Sequence, residues 1–382
     1  MSRILVPAVV TALAVGAVLG AAAPSASDDV DRVARAGQWQ LRAMRLPDAW
    51  RTSKGAGVVV AVLDTGVNGR HPDLAGAVIQ GPDLTGVVRS PHRWGRHGTA
   101  MASLIAGRGH GDEREGGVLG VAPEAEVLSV RVTLDNGDPQ RKMQRSGGRN
   151  ALARGIRYAA DHGAEVISMS LGGGRGSWEG SATEEEAVQY AIARGAVLVA
   201  SSGNDGADAN RKNFPAAYPG VIAVGAVDRR LAVAGFSNRQ NYVSVVAPGT
   251  EIVTADGRRS YVIGDGTSSA AAMVAGVAAL IRSAHPSLSP YHVRRAIELS
   301  TRKRPADGHS RAYGHGVVDA VLALRAAARL DVPASGGAAP EPNFCEAPPS
   351  SRAPVVAGMV MLVAAMSARV LVTQRRRRRD AT

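Results

Sequence analysis

A chain of 382 residues, 45% of them apolar, is long enough to bury a sizeable core in one large domain or two ordinary ones. The net charge of +12 takes five of its charges from the run Arg375 to Arg379, and no basic stripe is interleaved with aromatics, so charge gives no ground for nucleic-acid binding. The one cysteine, Cys345, excludes an intrachain disulfide and any cysteine-based metal site.

At the start, Arg3 precedes a weakly polar run from Ile4 to Ala23, followed by small residues to Ala26. This reads as a secretory signal peptide over residues 1–26; an uncleaved anchor is the alternative, because the run is long enough to span a bilayer. Residues 27–50 form a short, polar and charged N-terminal extension ending in Trp50.

Alternation then begins. Val58 to Leu63, Val127 to Val132, Glu165 to Met169, Ala196 to Ala200, Val221 to Val227 and Tyr242 to Val246 are continuous apolar runs of the kind buried parallel strands show. Helix-like segments lie at His97 to Gly107, Asn150 to His162, Glu184 to Arg194, Pro290 to Ser300 and Val317 to Leu330. Strands alternating with helices imply an α/β fold, with a mostly parallel central sheet and helices on both faces.

Three stretches carry candidate chemistry. Asp64 ends the first apolar run, in Leu63-Asp64-Thr65-Gly66, where ligand chemistry collects in open parallel sheets. A carboxylate there can orient a histidine. Aspartic-protease chemistry needs a second such carboxylate, and no second Asp-Thr/Ser-Gly exists. His97 opens an apolar helix, a place where Ser, Thr, Asp or Asn is usual, and suits a general base. His71, before Pro72, reads as a turn residue. In Gly264-Asp265-Gly266-Thr267-Ser268-Ser269-Ala270-Ala271-Ala272, a tight turn feeds a small-residue apolar helix. Ser268 would sit at the positive end of that helix, as an N-cap or as a nucleophile. A serine attacks only when a base takes its proton and a third group orients that base, and Asp64, His97 and Ser268 supply those parts.

These motifs, in this order, resemble the subtilisin-like serine proteases over roughly residues 50 to 325. Gly117-Val118-Leu119-Gly120-Val121-Ala122-Pro123, Ser170-Leu171-Gly172-Gly173, Ser202-Gly203-Asn204 and Val246-Ala247-Pro248-Gly249 agree. The resemblance implies a three-layer subtilisin-like fold, with the protease domain at 51–330. It further implies hydrolysis of peptide bonds through an acyl-enzyme, with Asp64 orienting, His97 as base and Ser268 as nucleophile. Asn204 would give its side-chain N–H to the oxyanion, and Ser170, Leu171, Gly172 and Gly173 would bind an extended polypeptide substrate. Two positions depart from the family: Ser269 stands where Met or Phe is usual, and Ala272 where Pro is usual. The second restores a backbone N–H near the helix start.

No cofactor is expected. Subtilisins often bind calcium, but the loop with Asp112, Glu113 and Glu115 lacks the family pattern, and Asp135-Asn136-Gly137-Asp138 lacks EF-hand spacing. Nor is a cleaved inhibitory prodomain expected. The extension is too short to fold alone, and Trp39, Leu41, Met44, Leu46 and Trp50 should pack on the body as a permanent arm.

After the protease region the composition shifts to a Pro/Gly/Ala-rich linker at 331–352, which holds Cys345. Residues 353–373 read as a transmembrane helix, and the Arg-rich tail at 374–382 as cytoplasmic. An amphipathic surface helix would need a polar face that this segment lacks. This layout resembles the mycosins, membrane-anchored subtilisin-like proteases associated with type VII secretion, and implies that machinery as a partner. The rival function is a scaffold component that keeps a protease fold.

Overall fold

The computed structural model describes residues 26–87, 95–111, 114–141, 150–172, 179–257 and 259–331. Residues 1–25 of the expected signal peptide, the linker from residue 332 with Cys345, the C-terminal span, the basic tail, Asp112, Glu113 and Gly173 lie outside the described residues, whereas Ala26 already belongs to the first helix and Asp331 is held by His285 and Ser287.

Three helices come first: α1 (Ala26–Ala36), α2 (Trp39–Ala43) and α3 (Leu46–Ala49). Then follow β1 (Val59–Asp64), β2 (Val78–Asp83), α4 (Arg96–Ala106), β3 (Arg108–His110), β4 (Gly116–Leu119) and β5 (Glu126–Arg131). The middle of the chain gives α5 (Ala151–Asp161), β6 (Val166–Met169), α6 (Ala182–Ala193), β7 (Val197–Ser201), β8 (Ile222–Val227) and β9 (Val243–Pro248). The last part gives β10 (Ile252–Ala255), β11 (Tyr261–Gly264), α7 (Thr267–Ala284), α8 (Pro290–Leu299), β12 (Thr301–Arg302), β13 (Val317–Val318) and α9 (Ala320–Leu330).

Among the described residues, nine strands form the central sheet in the order β12-β13-β9-β8-β7-β6-β1-β5-β2. All its pairings are parallel except β12 with β13. Successive residues of a strand face opposite sides, so each apolar run feeds two cores. Val60 and Val62 of β1 join the core that holds Leu104, Met273, Val293 and Leu324, from α4, α7, α8 and α9. Ala61 and Leu63 join the core under α5 and α6, with Ile156 and Val188. This is the three-layer α/β arrangement expected.

The centre of the first core is α7, buried along most of its length. Its small side chains let it lie against its neighbours: a Cβ on Gly276 would come within 2.5 Å of the Val121 Cβ. Among the described residues α7 is the one helix long and apolar enough to cross a membrane, but its burial makes it a core helix.

The strands and helices read from apolar runs match the observed ones to within two or three residues. Four features differ. Strand β2 is largely half-buried or exposed, so it has no apolar run to mark it. The hairpins β3–β4 and β10–β11 are short and held by pairing rather than pattern. Val317 and Val318 form a strand beside β9 rather than the start of a helix; α9 begins at Ala320, where the Asp319 side chain accepts from Leu322 N and caps it. The N-terminal extension contains a full helix, α1.

The expected arm is packed. Met44 and Leu46 are fully buried and Leu41 nearly so. Trp39 and Trp50 are half-buried against the same core. Their indole N–H groups donate to Thr250 O at 3.1 Å and Val121 O at 2.8 Å.

Candidate active site

The carboxyl ends of the parallel strands open on a cleft of about 1080 Å³, lined by Asp64, His97, Asn204 and Ser268 among others. Asp64 is the last residue of β1 and is fully buried. Its Oδ1 accepts from its neighbour Thr65 N at 2.7 Å. Both of its oxygens lie close to His97 Nδ1, at 2.9 and 3.0 Å. The carboxylate therefore accepts a hydrogen bond from Nδ1–H, and Nε2 is left for a second partner.

His97 is the second residue of α4. Glycine is required on both sides of it. A Cβ on Gly95 would sit 2.2 Å from Thr65 O, and one on Gly98 would sit 2.3 Å from Gly66 O. This close approach is what lays the imidazole on Asp64. The Asp64 charge is the main influence on His97; burial works against it, but the pKa stays above the usual histidine value.

Ser268 is the second residue of α7, with its hydroxyl at the positive end of a long helix. That hydroxyl donates to Ser170 O at 3.4 Å, while Ser170 Oγ donates back to Ser268 O at 3.0 Å. Ser269 is buried. With Ala272 in place of proline, α7 runs unbroken from Thr267 to Ala284.

Asn204 follows β7. Its Oδ1 accepts from both Thr267 N, at 2.9 Å, and Thr267 Oγ1, at 2.8 Å. That leaves the amide Nδ2 to face the cleft, where it lies 3.7 Å from the position a Gly266 Cβ would take. The preceding Gly203 has φ +112°, and a Cβ there would meet the Asn238 side chain at 2.4 Å. Ser170, Leu171 and Gly172 line the same cleft.

The structure thus brings together every described site residue expected from sequence. It adds three that the motifs did not single out. Thr267 fixes the Asn204 amide. Thr65 accepts the Gly98 N–H through its hydroxyl at 3.0 Å. Asp135 accepts from the Arg96 and His97 N–H groups. Thr65 and Thr267 lie inside recognised motifs, but only their partners across the fold show their use. His71 is a turn residue as read: its Nδ1 accepts from Asp73 N at 3.2 Å, and burial pushes its pKa down.

Residues 55–316 match the model of the subtilase family. Thermitase of Thermoactinomyces vulgaris is 38% identical over 288 residues, which cover 75% of this chain and 96% of that enzyme. Among solved structures, MycP1 with its N-terminal propeptide removed superposes with a TM-score of 0.63 at 30% identity, covering 75% of this chain and 96% of that one. The MycP3 protease from a type VII (ESX-3) secretion system gives 0.62 at 32% identity, covering 75% and 88%. On its fold, its matched length and these relatives, the chain belongs to the subtilase family and is a subtilisin-like serine endopeptidase.

Proposed function

We propose that Asp64, His97 and Ser268 form the triad that hydrolyses peptide bonds. The observation that supports this most is the Asp64 carboxylate on His97 Nδ1, at 2.9 Å, in the cleft that Ser268 also lines. Ser268 Oγ attacks the scissile carbonyl as its proton passes to His97 Nε2. The Asp64 charge stabilises the imidazolium that forms. Asn204 Nδ2 and the Ser268 backbone N–H donate to the oxyanion. His97 then returns the proton to the leaving amine. Water, activated by the same base, releases the acyl group and frees Ser268. Every step uses groups of this chain, so no cofactor is invoked.

Ser170 to Gly173 would bind an extended polypeptide by backbone pairing, which a small-residue segment permits. The Ala353–Ala368 apolar run followed by Arg375 to Arg379 supports a membrane anchor with the catalytic domain outside and the tail in the cytoplasm. The likeness to MycP1 and MycP3, the latter described as part of a type VII secretion system, supports a role beside such machinery.

The decisive test is labelling with a fluorescent fluorophosphonate. Ser268→Ala and His97→Ala should both remove it; labelling that survives either change overturns the triad. A tag placed after Thr382 should resist external protease in intact cells, and its cleavage there would invert the proposed topology.

A further inference from the structure

Helix α4 carries His97 but lacks a cap of its own. Its N-cap residue is Gly95, which has no side chain to offer the first N–H groups. The three N–H groups without a partner inside the helix find acceptors from elsewhere in the chain. Gly98 N donates to Thr65 Oγ1. Arg96 N donates to Asp135 Oδ2 at 3.0 Å, and His97 N donates to Asp135 Oδ1 at 3.1 Å. Asp135 comes from the loop after β5, and is half-buried on the wall of the cleft. Its segment, Asp135-Asn136-Gly137-Asp138, has no cation-loop spacing, and the two backbone bonds give it another use.

We propose that Asp135 is the positioning residue for His97: one carboxylate bridges the first two N–H groups of α4, fixes where the imidazole stands, and places a negative charge beside it. The inference rests on the reading of His97 as the base. Both effects have the same physical source. An anion at a helix N-terminus is favoured by the unpaired N–H groups and the dipole. The same anion offsets the positive helix end, which would otherwise disfavour an imidazolium on the second residue.

Other charges around His97 are accounted for. Asp64 on β1 holds Nδ1 and acts most strongly. The Arg141 guanidinium opposes, and is itself held by Leu134 O. Arg96 lies 3.7 Å from Asp256, after β10, and Arg131 on β5 is paired with Asp83 at 2.8 Å. Asp135 is the second acidic group acting on His97 after Asp64.

The test uses the full-length protein in detergent and a fluorescent fluorophosphonate. Its second-order labelling rate is measured against pH for wild type, Asp135→Asn, Asp135→Ala and His97→Ala. Removing the charge should move the acidic limb of the profile to lower pH by about half a unit. Asp135→Ala, which also loses both caps, should label roughly tenfold more slowly at the plateau. Asp135→Asn, which keeps one acceptor oxygen, should recover part of that loss. An acidic limb in Asp135→Asn that coincides with wild type overturns the role of Asp135, whatever becomes of the folding of Asp135→Ala. His97→Ala labelling at the wild-type rate would instead overturn the reading of His97, so the two failures are distinct.

Discussion

Thr267 donates twice to one atom of Asn204: its backbone N–H and its hydroxyl both reach Oδ1, at 2.9 and 2.8 Å. Two donors on one oxygen fix the amide, so the Nδ2 donor is turned to the cleft without reorganisation during the reaction. Asn204→Ala should then lower kcat with little change in KM. The expected loss is about 10²–10³-fold, the range measured when such a donor is removed from a subtilisin. Steady-state kinetics on a peptide substrate decide it. An effect confined to KM would make Asn204 a substrate-binding residue.

Ser268 and Ser269 are neighbours on α7, but they point about 100° apart around the helix. Ser269 is buried, whereas Ser268 is half-buried on the cleft and bonded to Ser170. Ser269→Ala should keep fluorophosphonate labelling and Ser268→Ala should lose it. The opposite pattern would move the nucleophile by one residue.

The N-terminal arm is bound as core is bound. Met44 is fully buried, and its carbonyl accepts from Ala320 N, at the start of α9, at 3.1 Å. Met44→Ala should destabilise the protease domain by about 2–5 kcal/mol in denaturant unfolding. If the arm is permanent, residues 27–330 should keep the same N-terminus in wild type and in Ser268→Ala, as read by intact mass. A cut made by wild type but not by Ser268→Ala, with only the cut form active, would make the segment a propeptide, as MycP1 is described to have.

Helix α1 should be held in a pH-dependent way. His110 is the bridge: Nδ1 reaches Asp73 at 2.6 Å and Nε2 reaches Asp31, on α1, at 2.9 Å. Donating to both carboxylates needs both ring protons. Burial lowers the pKa of His110, but the bonds and charges of Asp73 and Asp31 outweigh it and hold it above the usual value. A raised folded pKa means that this stabilisation is full below the unfolded value, near 6.5, and is lost as pH rises through the folded one. Buried His71, whose pKa is lowered, acts in the opposite sense and weakens the same corner as pH falls. Hydrogen exchange in α1, corrected for intrinsic rates, should therefore quicken on the alkaline side, and His110→Gln should flatten that change. An unchanged pH profile in His110→Gln would remove the bridge as its cause.

Much of this protein is legible in one dimension. Apolar runs such as Val58 to Leu63 mark buried parallel strands because both of their faces are covered, and so no polar alternation interrupts them. The three motif residues are legible for a similar reason: Asp64, His97 and Ser268 each end or begin an element whose local pattern is plain. The Ala-rich α7 announces its burial by the unbroken apolar run from Ala270 to Ile281. What the chain order does not contain is how separate loops meet. Strand β2 shows no apolar run, since it gains its place by pairing with β5 rather than by burial. The Asp73–His110–Asp31 bridge joins three elements far apart in sequence. In the sequence Thr267 is only the threonine before Ser268, and Asp135 only part of a stretch without EF-hand spacing, until folding brings Asn204 to the one and the bare start of α4 to the other. Local sequence sets the period and ends of an element. The acceptors for its unpaired N–H groups come from whichever loop the packed sheet places beside it, and only the tertiary structure decides that.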